Sequence, residues 1–288
     1  MKPMRKLLLL LCAVATLSSC GERMRTAETQ IVVSIEPLRA IVEGIVGDDF
    51  EVVTLVPPGA SPETYEPTPE QMERVERSQM VFAVGLIGFE HSTVERLTES
   101  AAVRYVNLSE SIDLLDGHCH HDHAEEHHHA EGANPHLWTS PRQLRQMAAT
   151  AYAAIAAEWP DSTVYKANYE AFITRLDSLD GRIIRRLSEV TSRAFVIYHP
   201  TFGYLAEEYG LTEIAIESHG KEPSADHLRH VVDEARAKGV SKVFYQREFP
   251  RSVVEIVARE LDVEPIEVDI LSGDVEGMIY GFVDKLAR

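Results

Sequence analysis

The chain has 288 residues, of which 44% are hydrophobic and 26% charged, and it carries a formal net charge of -18. That length suffices for two compact domains sharing an interface, and the composition is that of a water-soluble globular protein, which excludes a disordered chain or one made mainly of membrane spans. The acidity argues against a nucleic-acid partner and against polybasic docking on anionic lipid.

The N-terminus differs from the rest of the chain. Lys2, Arg5 and Lys6 precede an apolar run at residues 7–17, too short for the roughly 20 residues of a spanning helix, so residues 1–19 read as a signal peptide. The run ends in Leu17-Ser18-Ser19-Cys20-Gly21, which resembles the lipobox of bacterial lipoproteins. That resemblance implies a lipidated Cys20, a polar tether over 20–29 and a bacterial cell-envelope, periplasm-facing location. With Cys12 in the signal and Cys20 lipidated, Cys119 is the cysteine left over, so the spacing excludes a disulfide framework and stability must come from packed cores.

From residue 30, short β-branched runs at 31–35, 52–56, 81–84 and 103–106 alternate with helical patterns at 37–46, 69–78 and 90–99. Continuous apolar runs of this kind are buried on both faces, as in parallel sheets, and the alternation predicts a βαβα lobe over 30–140 with right-handed crossovers. Within it, residues 117–132 form a low-complexity loop carrying His118, His120, His121, His123, His127, His128 and His129. Ser140-Pro141 supplies an N-cap and a first-turn proline for a helix over 141–158. Pro160-Asp161 opens a second helix to about residue 189, which at ~1.5 Å per residue spans roughly 43 Å and fills the helical segment 141–190. A second series comes next, with strands at 195–198, 214–216, 242–245 and 266–268 and helices at 202–209, 225–238, 252–261 and 274–286, giving a C-terminal lobe over 191–288. The predicted fold is α/β, with two βα-repeat lobes, each on a parallel sheet, joined by one long helix.

Four turn-rich segments carry a metal-ligand residue type. They are Ser61-Pro62-Glu63-Thr64-Tyr65-Glu66-Pro67-Thr68-Pro69, Asn134-Pro135-His136-Leu137-Trp138, Tyr198-His199-Pro200-Thr201-Phe202-Gly203-Tyr204, and Val268-Asp269-Ile270. Three come directly after a predicted strand, where open α/β sheets place ligands. Each alone reads first as a rigid turn or a packed histidine. Together, two imidazoles and two carboxylates, two from each lobe, make the four-coordinate N/O shell that Zn²⁺ accepts.

The first three segments and Glu222-Pro223-Ser224, in this order, resemble the zinc/manganese solute-binding lipoproteins of ABC importers, the ZnuA/TroA-like family (cluster A-I), and the likeness runs from about residue 30 to the end. The resemblance implies that His136, His199 and Asp269 are ligands, that a histidine at 199 favours zinc over manganese, and that the histidine-rich loop belongs to the zinc-specific members. Where the family usually has histidine, this chain has Glu63, a harder donor that still suits Zn²⁺ but excludes Mn²⁺ or Fe²⁺ less well; water or Glu66 is the alternative at that position. Gln246, at the end of a predicted strand, is placed to orient a ligating residue from behind. His123-Ala124-Glu125-Glu126-His127 matches the H-x-x-E-H hydrolase pattern, but in a polar repeat it reads as composition and the loop as a low-affinity zinc collector.

The implied function is capture of Zn²⁺ and delivery to the membrane permease subunits of an ABC importer by a monomeric binder that is not an enzyme. The rivals are a manganese or iron carrier of the same fold, a periplasmic zinc buffer working through the histidine loop, and a zinc hydrolase.

Overall fold

The computed structural model describes residues 30–117, 132–217 and 223–288. The signal segment, Cys20, Cys119 and all seven histidines of the 118–129 cluster lie outside the described residues. Among those described, no helix is long and apolar enough to cross a membrane.

The N-terminal sheet comprises β1 (Gln30–Val33), β2 (Glu51–Thr54), β3 (Met80–Ala83) and β4 (Arg104–Asn107), all parallel in the order β2-β1-β3-β4. Its crossovers contain α1 (Glu36–Val46), α2 (Pro69–Glu76) and a wide helical turn at Glu90–Glu95 running into α3 (Arg96–Ala101). In α1 the apolar positions Leu38, Ile41, Val42, Ile45 and Val46 recur with helical period and are all buried. Helix α2 starts where Thr68 accepts from the Gln71 backbone N–H while Gln71 reaches back to the Thr68 backbone N–H, a reciprocal cap.

The C-terminal sheet repeats the plan with β5 (Ala194–Ile197), β6 (Thr212–Ala215), β7 (Val243–Gln246) and β8 (Pro265–Val268) in the parallel order β6-β5-β7-β8. In each sheet the winding direction reverses beside the first strand, and the crevice outside the strand carboxyl ends at that point is where open α/β sheets take ligands.

Between the lobes lie α4 (Pro141–Glu158) and α5 (Thr163–Leu187), the predicted helical connection. At 25 residues, α5 is about 37 Å long, shorter than its sequence suggests, because residues 159–162 form a turn closed by the Ser162 N–H on the Trp159 carbonyl (3.2 Å). It still grips both lobes. Tyr165 donates to Asp49 (2.9 Å) and Asn168 to the Ile45 carbonyl (3.0 Å) on the N-terminal side. On the other side Arg175 pairs with Glu276 (2.9 Å) and Arg186 with Asp284 (3.0 Å) of the last helix. The two cores implied by two lobes are not separate: one buried cluster runs from Ile31 and Leu38 through Phe172 and Leu176 of α5 to Phe195, Phe244 and Phe282. The second cluster, with Val196, Ile214 and Val254, is confined to the C-terminal lobe.

Trp138, which precedes α4, donates its indole N–H to the carbonyl of Ile270 at 2.7 Å, and both residues are buried. Trp138→Phe would leave that carbonyl unpaired and open a small void, so the variant should lose on the order of 2–4 kcal/mol of stability in urea titration of the metal-free protein. A loss under about 0.5 kcal/mol would show that this tie between the helical connection and the C-terminal lobe is unimportant.

Candidate metal centre

Glu63 lies on the loop after β2, in a single 3-10 turn Pro62–Thr64 bracketed by prolines. The loop is tied down behind it: Tyr65 donates to Gln71 Oε1 (2.6 Å), and Gln71 Nε2 donates to the Leu55 carbonyl (2.6 Å). Glu63 itself stays exposed toward the cleft.

His136 is buried and belongs to the segment that leads into α4. Asn134 Oδ1 accepts from the His136 backbone N–H (3.0 Å) and lies 2.9 Å from its Nδ1, which leaves Nε2 as the outward nitrogen. Burial, with a smaller contribution from the charge of His199, holds this imidazole well below the ordinary histidine range. The segment is fastened to the C-terminal lobe: Thr139 Oγ1 donates to the Thr201 carbonyl (2.8 Å), Ser140 Oγ to Glu208 (2.5 Å), and Tyr204 donates to the Asn134 carbonyl (2.8 Å). Although it precedes the helical connection in sequence, His136 is thus positioned by residues 201–208. Two of the expected residues were assigned to each lobe; the His136 segment bonds to both, through the Asn134 N–H on the Leu115 carbonyl (2.8 Å) and through Thr139, Ser140 and Tyr204.

His199 comes after β5 at the switch point of the second sheet. Gln246 holds its main chain, donating to the His199 carbonyl (2.8 Å) and to Thr201 Oγ1 (3.0 Å). Nδ1 of His199 is 2.9 Å from Glu217 Oε2, and Nε2 is 2.8 Å from Glu63 Oε1. The second contact is close but not aligned as a hydrogen bond, so the buried Nε2 has no hydrogen-bond partner among the described residues. Burial pushes this imidazole down, and the carboxylates of Glu217 and Glu63 more than reverse that, raising it to about 9. The contact with His199 in turn draws the Glu63 carboxyl below its usual value.

The ligand atoms of Glu63, His136 and His199 all lie within 4.8 Å of one another. Donors at ~2.0–2.1 Å from a tetrahedral Zn²⁺ are about 3.3 Å apart, a spacing between the 2.8 Å of His199 Nε2 to Glu63 Oε1 and the 4.8 Å that bounds the group. The two imidazole rings are 5.1 Å apart, edge to face. The group opens on a cavity of about 240 Å³ walled by Leu86, Trp138, Phe249, Ile270 and Leu271, with Glu248 at its side. Asp269 is not brought to this group. Its carboxylate accepts from the Leu271 N–H (3.1 Å), lies 3.7 Å from Arg247, and lines a separate small pocket with Glu36 and Pro58. Of the four residues expected to converge, the structure brings Glu63, His136 and His199 together, while the turn after β8 and Arg247 hold Asp269 aside. Glu66 is exposed and outside the group as well.

Residues 31–285 match the family model described as ZnuA, zinc-uptake complex component A, periplasmic. The chain belongs to this family. It is 25% identical over 278 residues to the zinc-binding lipoprotein AdcA of Streptococcus pneumoniae, covering 92% of this chain and 54% of that protein. The chain thus spans about half the length of the curated relatives it first matches. A crystal structure of ZnuA superposes with a TM-score of 0.81 at 30% identity, covering 90% of this chain and 98% of the other. The solute-binding protein FpvC of Pseudomonas aeruginosa, solved in complex with Mn²⁺, gives 0.74 at 25% identity, covering 91% and 98%.

Three carboxylates in and around the ZnuA-like cleft escaped sequence reading. Glu217 touches His199. Glu90, buried, accepts from the N–H groups of Val84, Gly85, Leu86 and Ile87 (2.8–3.1 Å) and so shapes the cavity wall after β3, its own carboxyl pushed up by burial. Glu213 does the same after β5, accepting from Thr201 N–H (3.0 Å) and Phe202 N–H (2.8 Å). For Glu213 alone there was a signal, a lone acid within a strand run, Thr212-Glu213-Ile214-Ala215.

Burial raises Glu213 to about 7. A carboxyl raised from its unfolded value near 4.5 favours folding most below that value, and the advantage is lost as pH rises through 7. Glu213→Gln should therefore gain stability relative to the parent between pH 5 and pH 8, on the order of 1–3 kcal/mol, in thermal melts of metal-free protein. A pH-independent difference would contradict this.

Proposed function

We propose that this chain is a zinc-capturing component of an ABC-type importer: it binds one Zn²⁺ at Glu63, His136 and His199 in the cleft and hands it to membrane permease subunits. The observation that carries the reading is the group itself, two imidazoles and a carboxylate gathered in one crevice, with the Nε2 of His199 buried and without a hydrogen-bond partner among the described residues. An N₂O donor set suits Zn²⁺, and a fourth position facing the cavity is filled by water. Family membership and the zinc named for AdcA support the same metal.

The chain acts as a binder and not as an enzyme, in keeping with a family described as an uptake-complex component. It works as a monomer, anchored by lipid on Cys20 and facing the periplasm. The histidine-rich loop, outside the described residues, gathers zinc at low affinity and passes it to the cleft.

A second reading, carriage of Mn²⁺ or Fe²⁺, is favoured by one specific feature. Glu63 supplies oxygen where imidazole would select more strongly for zinc, and the Mn²⁺ complex of FpvC has the same fold. Competition between Zn²⁺ and Mn²⁺ separates the two readings, with zinc expected to win by at least about a hundredfold on the Irving–Williams order.

Elemental analysis and competition titration against a chromophoric chelator test the assignment. The full chain and a variant lacking residues 118–129 should each hold one tight zinc, His136→Ala should weaken binding at least about a hundredfold, and Asp269→Asn should weaken it by less than about tenfold. Tight binding that disappears with the loop would replace this reading with a zinc buffer, and a large Asp269→Asn effect would restore the fourth ligand.

A further inference from the structure

Resting on the zinc reading, we infer that Glu217 is a positioning residue for the metal. It fixes His199 as a donor through Nε2, and its negative charge, with that of Glu63, balances the dication.

The placement comes from the sheet. Strands β5 and β6 are parallel neighbours, and the ladder continues past their ends, with the Ile216 N–H on the Ile197 carbonyl (2.8 Å) and the Glu217 N–H on the Tyr198 carbonyl (2.9 Å). That register sets the Glu217 side chain beside His199, where Oε2 lies 2.9 Å from Nδ1. Each of the two residues is 8% exposed. An ionised carboxylate only accepts hydrogen bonds, so it keeps a proton on Nδ1, and Nε2 is the nitrogen that gives up its proton to a metal and supplies the lone pair. Nε2 is the nitrogen that faces Glu63.

The two imidazoles are held differently. His136 is oriented by a neutral amide oxygen, that of Asn134, whereas His199 is oriented by an anion. A carboxylate behind a ligating imidazole makes it a stronger donor, and a full charge in a buried site acts through a low dielectric. With both histidines neutral, Glu63 and Glu217 supply two negative charges, which match Zn²⁺ without any contribution from Asp269. The pair lies at the carboxyl edge of the sheet, with His199 lining the cleft and Glu217 behind it on Nδ1.

The test compares full-length parent, Glu217→Gln and Glu217→Ala in zinc competition titrations, with ¹⁵N–¹H NMR of the zinc-loaded histidine side chains and urea midpoints of the metal-free forms. Glu217→Ala should bind zinc about 10–100-fold more weakly, and Glu217→Gln, which can still accept from Nδ1, should fall between. The parent should show His199 protonated at Nδ1 and metallated at Nε2. Should Glu217→Ala fail to fold, a roughly threefold or greater loss in Glu217→Gln at unchanged urea midpoint carries the result through charge alone. Equal zinc affinity in the parent and Glu217→Gln, or metallation of His199 at Nδ1, overturns the inference while leaving zinc binding intact. A parent that binds no zinc overturns both this and the reading beneath it.

Discussion

The centre depends on one constraint: the short run from Asn134 to Ser140 is fastened to the C-terminal lobe. Trp138 bonds the Ile270 carbonyl, Thr139 the Thr201 carbonyl, Ser140 the Glu208 carboxylate, and Tyr204 bonds back to the Asn134 carbonyl. All four cross from a segment that precedes α4 to residues beyond α5. Backbone and indole groups in this run are buried, so each unmade bond would carry a full desolvation cost and the set is strongly determined. Its effect is to hold the His136 ring beside that of His199, 5.1 Å away.

The consequence is a division of labour. The two imidazoles are tied to residues of the C-terminal lobe, and Glu63 is carried by a proline-stiffened loop of the N-terminal lobe anchored through Gln71. The apolar core that runs without a break through α5, and the side-chain ties of α5 to both lobes, limit how far the lobes can separate. The cleft loops are braced by carboxylates aimed at their N–H groups, Glu90 after β3 and Glu213 after β5. Under the proposed reading, bracing of this kind lowers the ordering cost of closing the group on an ion.

Much of this was legible in the sequence, for reasons that can be named. The β-branched runs around Val32, Phe82, Val196 and Phe244 are apolar on both faces because both faces of each sheet are covered, and such runs predict parallel strands directly. His136 and His199 stood out only as members of an ordered set of turn segments, since each alone reads as a packed histidine. Asp269 has a strand-end setting and the family likeness behind it, yet in this chain Arg247 and the Leu271 N–H hold it aside. Glu217 was invisible, because a carboxylate just beyond a strand looks like an exposed strand end until the register with β5 is known. The pairing of His136 with the C-terminal lobe was equally hidden, since hydrogen bonds between residues 138 and 270 leave no periodic trace.

The most direct test of the account is zinc K-edge X-ray absorption on the zinc-loaded full-length protein, with His199→Ala as comparison. The account predicts two imidazole nitrogens and light oxygen donors at about 2.0–2.1 Å, with no sulfur, and one imidazole lost in the variant. A shell of three or more imidazoles, a sulfur contribution from Cys119, or a spectrum unchanged by His199→Ala would place the metal elsewhere and contradict it.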